Sequence, residues 1–267
     1  MVAALRTGIY RLANGLTIDI PYDEVFNWGN KSPLPTNLNP FDVGTAQLYP
    51  LGFKVMLNDR TYRYVEFGGT TKAGDVCQRE GPDAAHDDLA VAAAAIGATV
   101  LTISTAITLV VNEYVGGSLN AEADTGLGYN YMVLKHDVDA AAGGATVTIT
   151  PPLAIAVDTS SDIKLVKSAY KEVIIAPTTL TGAVVGISCC VGADGSFGFV
   201  QTTGDATVLT DGTLVIGQVA RVSETTAGSA AAQDYDEAAD ADFGAIGRVV
   251  DVGPTTEQSI VRLDGFE

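Results

Sequence analysis

The sequence predicts a mainly β protein made of β-barrel or β-sandwich-type domains, preceded by an extended N-terminal arm. Three observations carry this expectation. Apolar and polar residues alternate with period two in many short runs: Leu16, Ile18 and Ile20 against Thr17 and Asp19, or Val147 and Ile149 among threonines. Turn-forming pairs such as Asn58-Asp59 and Asp211-Gly212 fall between such runs. Finally, 29 glycines accompany abundant Ala, Val and Thr and few Lys and Glu, a balance that suits strands and turns over helices.

In chain order, residues 1–21 contain the first alternating run, entered through Asn14-Gly15. Residues 22–50 lose the pattern, because Pro33, Pro35, Pro40 and Pro50 with several Asn cannot sustain a helix or a central strand. Yet Phe26, Trp28, Leu34, Leu38, Phe41 and Leu48 are too apolar for an idle linker. An extended arm (residues 1–48) lying across a neighbouring surface accounts for both features; an irregular loop packed on its own domain is the alternative. On the arm reading, Phe26, Trp28, Leu34, Leu38 and Phe41 are the candidate binding residues.

Residues 52–69 read as a hairpin about Asn58-Asp59, and 72–79 as a further short strand. Residues 89–111 lack any charge over 23 positions, which raises a membrane helix. Leu101, Ile103, Ile107 and Leu109 alternate there with Thr102, Ser104 and Thr108, so strands are expected instead. Residues 113–131 are rich in Gly and Asn and are assigned no strand. Strands are expected again at 132–135, 146–150, 163–166, 173–176, 181–190, 197–201, 245–252 and 260–263. The runs 208–209 and 214–216 flank Asp211-Gly212 and read as a tight hairpin. Residues 224–243 read as a long acidic loop. The expected organisation is the arm 1–48, a discontinuous barrel from 49–87 with 172–267, and an inserted β domain, 88–171.

The formal net charge of −17 is unevenly placed. Residues 1–75 balance seven basic against seven acidic side chains, so the whole excess lies in 76–267. Such a surface repels phosphate backbones, which argues against nucleic acid as a partner. Three cysteines with a vicinal pair (Cys77, Cys189, Cys190) make a poor disulfide framework, and the N-terminus lacks a secretory pattern. Free thiols and folding in a reducing cytoplasm are expected.

Catalytic chemistry finds little footing. His86-Asp87-Asp88 and His136-Asp137 have no second His or Cys at ligand spacing and read as solvated loop residues. The stretch 234–242 (DYDEAADAD) lacks the Gly and the closing Glu of a calcium loop. No nucleophile elbow, dinucleotide fingerprint or phosphate loop occurs. No catalytic, metal or cofactor residue is assigned.

Several longer phrases carry a resemblance. These are YPLGFKVMLNDRTYRYVEFGGTTKAGDVCQ (49–78), EYVGGSLNAEADTGLGYNYMVLKHD (113–137), APTTLTGAVVG with GFVQTTGDATVLTDG (176–212), and AIGRVVDVGPTTEQSIVRL near the C-terminus. Together they resemble virion structural proteins of tailed bacteriophages, and most nearly capsid cement or decoration proteins. The resemblance implies barrel-type domains displayed on a shell of major capsid protein, a position on the capsid exterior, and a closed homo-oligomer, with a homotrimer favoured over a dimer. It also implies a structural, non-enzymatic role. A tail or spike component binding a host-surface glycan is the alternative, and a polysaccharide-degrading enzyme a third, lower reading.

Overall fold

The computed structural model describes residues 8–12, 15–21, 38–103, 108–140, 144–234, 243–254 and 257–266. Phe26, Trp28 and Leu34 lie outside these. The described residues are almost entirely strand and loop, and they fall into two compact units. The smaller unit contains Pro82–Ser168; the larger contains the described residues before 82 and those from Ala169 onward. The first transition thus lies several residues before the expected position, 88.

The larger unit begins with β1 (Gly8–Arg11) and β2 (Thr17–Ile20), an antiparallel pair. β2 then pairs with β3 (Lys54–Leu57), placing Ile18 opposite Val55. Leu16, Ile18 and Ile20 are all buried, as their alternation requires. This corrects the expectation of a single arm over 1–48: the described part of its first half is two strands of the unit's own sheet. The physical reason is that a strand with one apolar face is most stable against a sheet already present in the same chain. β3 turns through Asn58-Asp59 into β4 (Arg60–Glu66), with Leu57 opposite Arg60 and Asn58 at φ 55°. The expected hairpin is therefore present at its expected turn. β5 (Val76–Gln78) follows and is wholly buried.

The smaller unit opens with a 3-10 turn, Ala84–His86, and continues through β6 (Leu89–Ala90), β7 (Val100–Ile103), β8 (Thr108–Leu109) and β9 (Ser118–Ala123). It ends with β10 (Asn130–His136), β11 (Asp139–Ala140), β12 (Ala145–Thr150) and β13 (Asp162–Val166). Six of these form a sheet in the order β6-β13-β9-β10-β12-β7, while β8 and β11 make a separate pair. Val91, just after β6, bridges Ile103 of β7, so the six-stranded sheet nearly closes on itself as a barrel. Closure removes most exposed strand edges. Alternate residues point inward: Leu101, Ile103, Leu119, Val133, Val147, Ile149, Ile163 and Leu165 are all essentially inaccessible. Each such side chain contributes about 1.5–3 kcal/mol by leaving water. β9 occupies the centre of this sheet, although 113–131 carried no expected strand. Among the described residues no helix is long and apolar enough to cross a membrane.

The chain then returns to the larger unit with β14 (Ile174–Ile175), β15 (Val184–Ser188), β16 (Phe197–Leu209), β17 (Val219–Val222), β18 (Ala230–Ala232), β19 (Ala245–Asp251) and β20 (Gln258–Leu263). β16, at 13 residues, organises this unit. Its first half lies between β4 and β15, and its second half pairs with β20. On one side β15 pairs with β5, β5 with β14, and Val173 bridges Phe67 at the end of β4, so that a small ring closes. On the other side the order runs β20-β19-β17-β18, and Ala230 of β18 bridges Thr210 just past β16. One strand therefore belongs to two rings, each with its own apolar core: Val65, Phe67, Val185 and Val200 in the first, Val208, Val222, Ile246 and Val261 in the second. The changeover falls at Gly204, whose φ is 78° and where an added Cβ would lie 2.8 Å from the Asp59 carbonyl oxygen.

The hairpin expected about Asp211-Gly212 is not formed. Residues 208–209 pair with Gln258 and Ser259 of β20, and 214–216 carry no strand. Two interactions outcompete the local turn signal. β20 offers β16 a six-residue register, and the Asp211 carboxylate is taken by the Ser223 and Thr225 hydroxyls, which hold it below the usual carboxylate range.

Candidate interaction site

Residues 39–42 (Asn-Pro-Phe-Asp) have the composition of a β-turn, with Pro pre-set for the second position. The turn closes by a hydrogen bond from Asp42 N to Asn39 O of 3.1 Å. The Asn39 side chain braces it twice, accepting from Phe41 N at 3.2 Å and donating to Asp42 Oδ1 at 2.8 Å. Phe41 at the tip is 60% exposed, whereas Leu38, three residues earlier, is 7% exposed and belongs to the core. The two residues expected to act together are thus separated: Leu38 faces inward and only Phe41 is displayed. Val43 and Leu48 extend the exposed apolar surface.

The turn is fastened to the larger unit. Gly44 exchanges both backbone hydrogen bonds with Phe197, and Leu48 N donates to the Tyr64 hydroxyl at 3.1 Å. Tyr49 stacks on Phe53 with centroids 4.8 Å apart and meets Tyr64 edge-on at 5.1 Å. Burial pushes the Tyr64 hydroxyl up to about 12, so it remains a neutral hydrogen-bonding group. The described residues of 38–48 are therefore rooted on the chain's own strands, as in the loop alternative to a free arm.

Phe41 also borders a groove of about 370 Å³. Arg60, Gln201, Asp205 and Gln258 supply part of its polar lining, Val250 and Ile260 part of its apolar lining. Several of these side chains are fixed in place. Gln201 Nε2 donates to the Thr203 and Asp205 carbonyls at 2.9 and 3.0 Å, and Gln258 Nε2 to Ala73 O at 2.9 Å. Arg262 clamps Asp205 and Asp59, each at 3.0 Å. Of the groove, sequence reasoning singled out Phe41 alone. The others come from separated strands and share no local spacing.

The two histidines are buried, not solvated, and they flank one tyrosine. His86 Nδ1 meets the Tyr114 hydroxyl, and its Nε2 donates to Thr108 O at 3.2 Å. His136 Nε2 accepts from Tyr114 N at 3.0 Å, and its Nδ1 lies 2.9 Å from the Asp137 carbonyl. Burial is the largest influence on His136 and holds its pKa below the ordinary value. The polar neighbours Asp87 and Asp88 suggested solvated loops, but the imidazoles fill space around Tyr114 instead.

With His86 turned inward, its sequence neighbours join a different group. Asp87, Asp88 and Glu122 bring carboxylate oxygens within 4.8 Å of one another. Lys164 already supplies a cation there, 2.8 Å from Asp87 and 3.5 Å from Glu122. Its hydrogen bond lowers the Asp87 pKa, while the hydrogen bond to Asp87 raises that of Glu122. The acidic stretch 234–242 lies outside the described residues except for Asp234. All three thiols are free; Cys77 and Cys190 are buried and Cys189 is half-buried.

Comparison with protein-family models, with curated proteins and with solved structures finds no match for this chain.

Proposed function

We propose that this chain is a non-enzymatic virion structural protein of a tailed bacteriophage, which binds the outside of the capsid and reinforces it. Its partner is the major capsid protein, it assembles as a homotrimer, and it is made in the host cytoplasm before joining the virion. The resemblance of 49–78, 113–137 and 176–212 to phage structural proteins supports the virion assignment. The structural observation that carries the docking role is Phe41. A large apolar side chain stands 60% exposed on a braced turn, in the part of the sequence that carries no net charge. Buried aromatics dominate the energetics of most interfaces, and a pre-set turn reduces the ordering cost of docking. The non-enzymatic reading is supported by how the chain uses its nucleophiles and bases: both imidazoles and two of the three thiols are spent inside the fold. Imaging of the virion tests the assignment. Density for this protein spread over the head is expected, and density confined to the tail overturns it.

The groove beside Phe41 favours one second reading, a tail or spike component that binds a host-surface glycan. An aromatic face next to oriented amide and carboxylate groups suits a sugar ring, and the volume falls within the range of small-ligand sites. Saturation-transfer NMR with host-surface oligosaccharides separates the readings: transfer to sugar protons that Phe41→Ala abolishes supports the glycan role.

A further inference from the structure

His136 adds a side-chain bond to the backbone bonds that join two pieces of the smaller unit. The crossover 110–117 between β8 and β9 folds over the end of β10. Its Tyr114 N–H donates to His136 Nε2 at 3.0 Å, and Asn112 Oδ1 accepts from His136 N at the same distance. Three residues back along β10, Gly116 N donates to Val133 O at 2.9 Å and Val133 N to Gly117 O at 3.0 Å, and Asn112 N donates to His136 O at 3.3 Å. Tyr114, 1% exposed, is thereby pressed among Leu109, Leu119 and the other core side chains.

The hydrogen bonds fix the proton inventory of this imidazole. Nε2 faces a backbone N–H and must accept; Nδ1 faces the Asp137 carbonyl and must donate. His136 is held as the neutral Nδ1–H tautomer, and a second proton would set its N–H directly against that of Tyr114. His86 is placed differently. Its Nδ1 has the Tyr114 hydroxyl oxygen and, at 3.4 Å, Asp83 Oδ2, either of which accepts a hydrogen bond. The clash of two N–H donors is thus particular to His136.

We propose that His136 is an acid-released latch: while neutral it holds the Tyr114 turn of the 110–117 crossover on the barrel end, and on protonation it loosens that turn while the backbone bonds at Asn112, Gly116 and Gly117 remain. The charged groups around it set the balance. Glu113, on the crossover, pairs with Lys167 at 3.1 Å. On its own side of the unit stand Asp137, whose carboxylate accepts from Thr146 of β12, and the neighbouring Lys135. His86 and Asp83 approach from the 3-10 turn. Glu113 and Asp137 favour a charged His136, but burial outweighs them. The direction of the pH effect follows. The open form protonates near the ordinary value of 6.5, the closed form only at a lower pH. Closure is therefore at full strength above 6.5. It is lost as pH falls through the interval between the two values, by about tenfold in the opening equilibrium per pH unit.

Histidine-ring ¹H–¹⁵N spectra and amide exchange of the full-length protein between about pH 8 and pH 5, a range spanning ordinary histidine titration, test the latch. The expected result is an Nδ1–H tautomer for His136, a protonation midpoint below 6.5, and a Tyr114 amide protection factor that falls over the same range. His136→Gln should abolish the pH dependence of that protection, whereas His86→Gln should retain it. An Nε2–H tautomer, a midpoint at or above 6.5, or Tyr114 protection that stays flat would overturn the proposal on the wild-type protein alone.

Discussion

Gly44 and Phe197 exchange both of their backbone hydrogen bonds, at 2.9 and 2.8 Å, and so bind the Phe41 turn to the first residue of β16. The display of Phe41 and the organising strand of the larger unit are therefore one construction. With Tyr49 packed against Phe53, Tyr64 and Phe199, the residues after the turn form an aromatic clasp on β3, β4 and β16.

Deletion of residues 1–48 should accordingly unfold or aggregate the protein. The cut removes β1 and β2 and empties the places of Leu16, Ile18, Ile20 and Leu38, all buried. At about 1.5–3 kcal/mol for each fully buried side chain, the loss rivals the roughly 5–15 kcal/mol that stabilises a typical domain. Circular dichroism melts and gel filtration check this. A soluble truncated protein that melts within a few degrees of the full chain would show that the N-terminal strands are dispensable.

Gly204→Ala should destabilise more than Gly212→Ala. Both glycines have positive φ, 78° and 73°, so both substitutions carry the backbone strain of a left-handed alanine. Only at Gly204 does the new Cβ also strike a neighbour, the Asp59 carbonyl oxygen at 2.8 Å; at Gly212 nothing lies within 4 Å. The excess cost should be about 1–3 kcal/mol, read from urea unfolding of the two variants. Equal losses would mean that β16 can shift away from β4 where it changes partner.

The thiols should be silent in the folded protein. Cys77 is fully enclosed and burial is the main reason its thiol is pushed up, away from the reactive thiolate. Cys190 is likewise buried and shifted upward. Ellman titration at mildly alkaline pH should register at most Cys189 in the native state and all three after denaturation. Rapid native reaction of three thiols would contradict the packing of the ring around Phe67.

Where a local pattern determined the outcome, the fold was legible in the sequence. Asn58-Asp59 made its hairpin because β3 and β4 have each other as nearest partners, and the alternation at 100–103 and 146–150 produced the expected strands. Long-range competition made the rest illegible. Asp211-Gly212 signals a hairpin as strongly as Asn58-Asp59, but β20 claims the flank before it and the Ser223 and Thr225 hydroxyls claim Asp211 itself. β9 was hidden because an alanine, Ala121, takes one of its inward positions and Asn120 and Glu122 dominate the outward ones. The histidines looked solvated because Tyr114 reaches them across 28 and 22 residues of sequence. At the candidate site the apolar content of 22–50 pointed to a contact surface. It could not separate Leu38 from Phe41, since only the turn at 39–42 sends one inward and the other out.

That separation gives the sharpest test of the proposed function. Leu38→Ala removes a core side chain and should cost about 2–4 kcal/mol of stability. Phe41→Ala removes an exposed one and should change stability by no more than about 0.5 kcal/mol. If Phe41 is the wedge that enters the capsid surface, the order reverses for binding. Phe41→Ala should lose about 2 kcal/mol of affinity or more, the range of an aromatic anchor at the centre of an interface, which is roughly a thirtyfold weaker complex. Leu38→Ala, at a temperature where it remains folded, should bind as the parent does. Thermal melts together with cosedimentation on capsids lacking the protein measure both quantities on the same samples. Phe41→Ala that cosediments at parental occupancy would remove Phe41 as the anchor. A Phe41→Ala protein destabilised as much as Leu38→Ala would instead assign the ring to the fold of the larger unit, leaving the displayed surface to Val43 and Leu48.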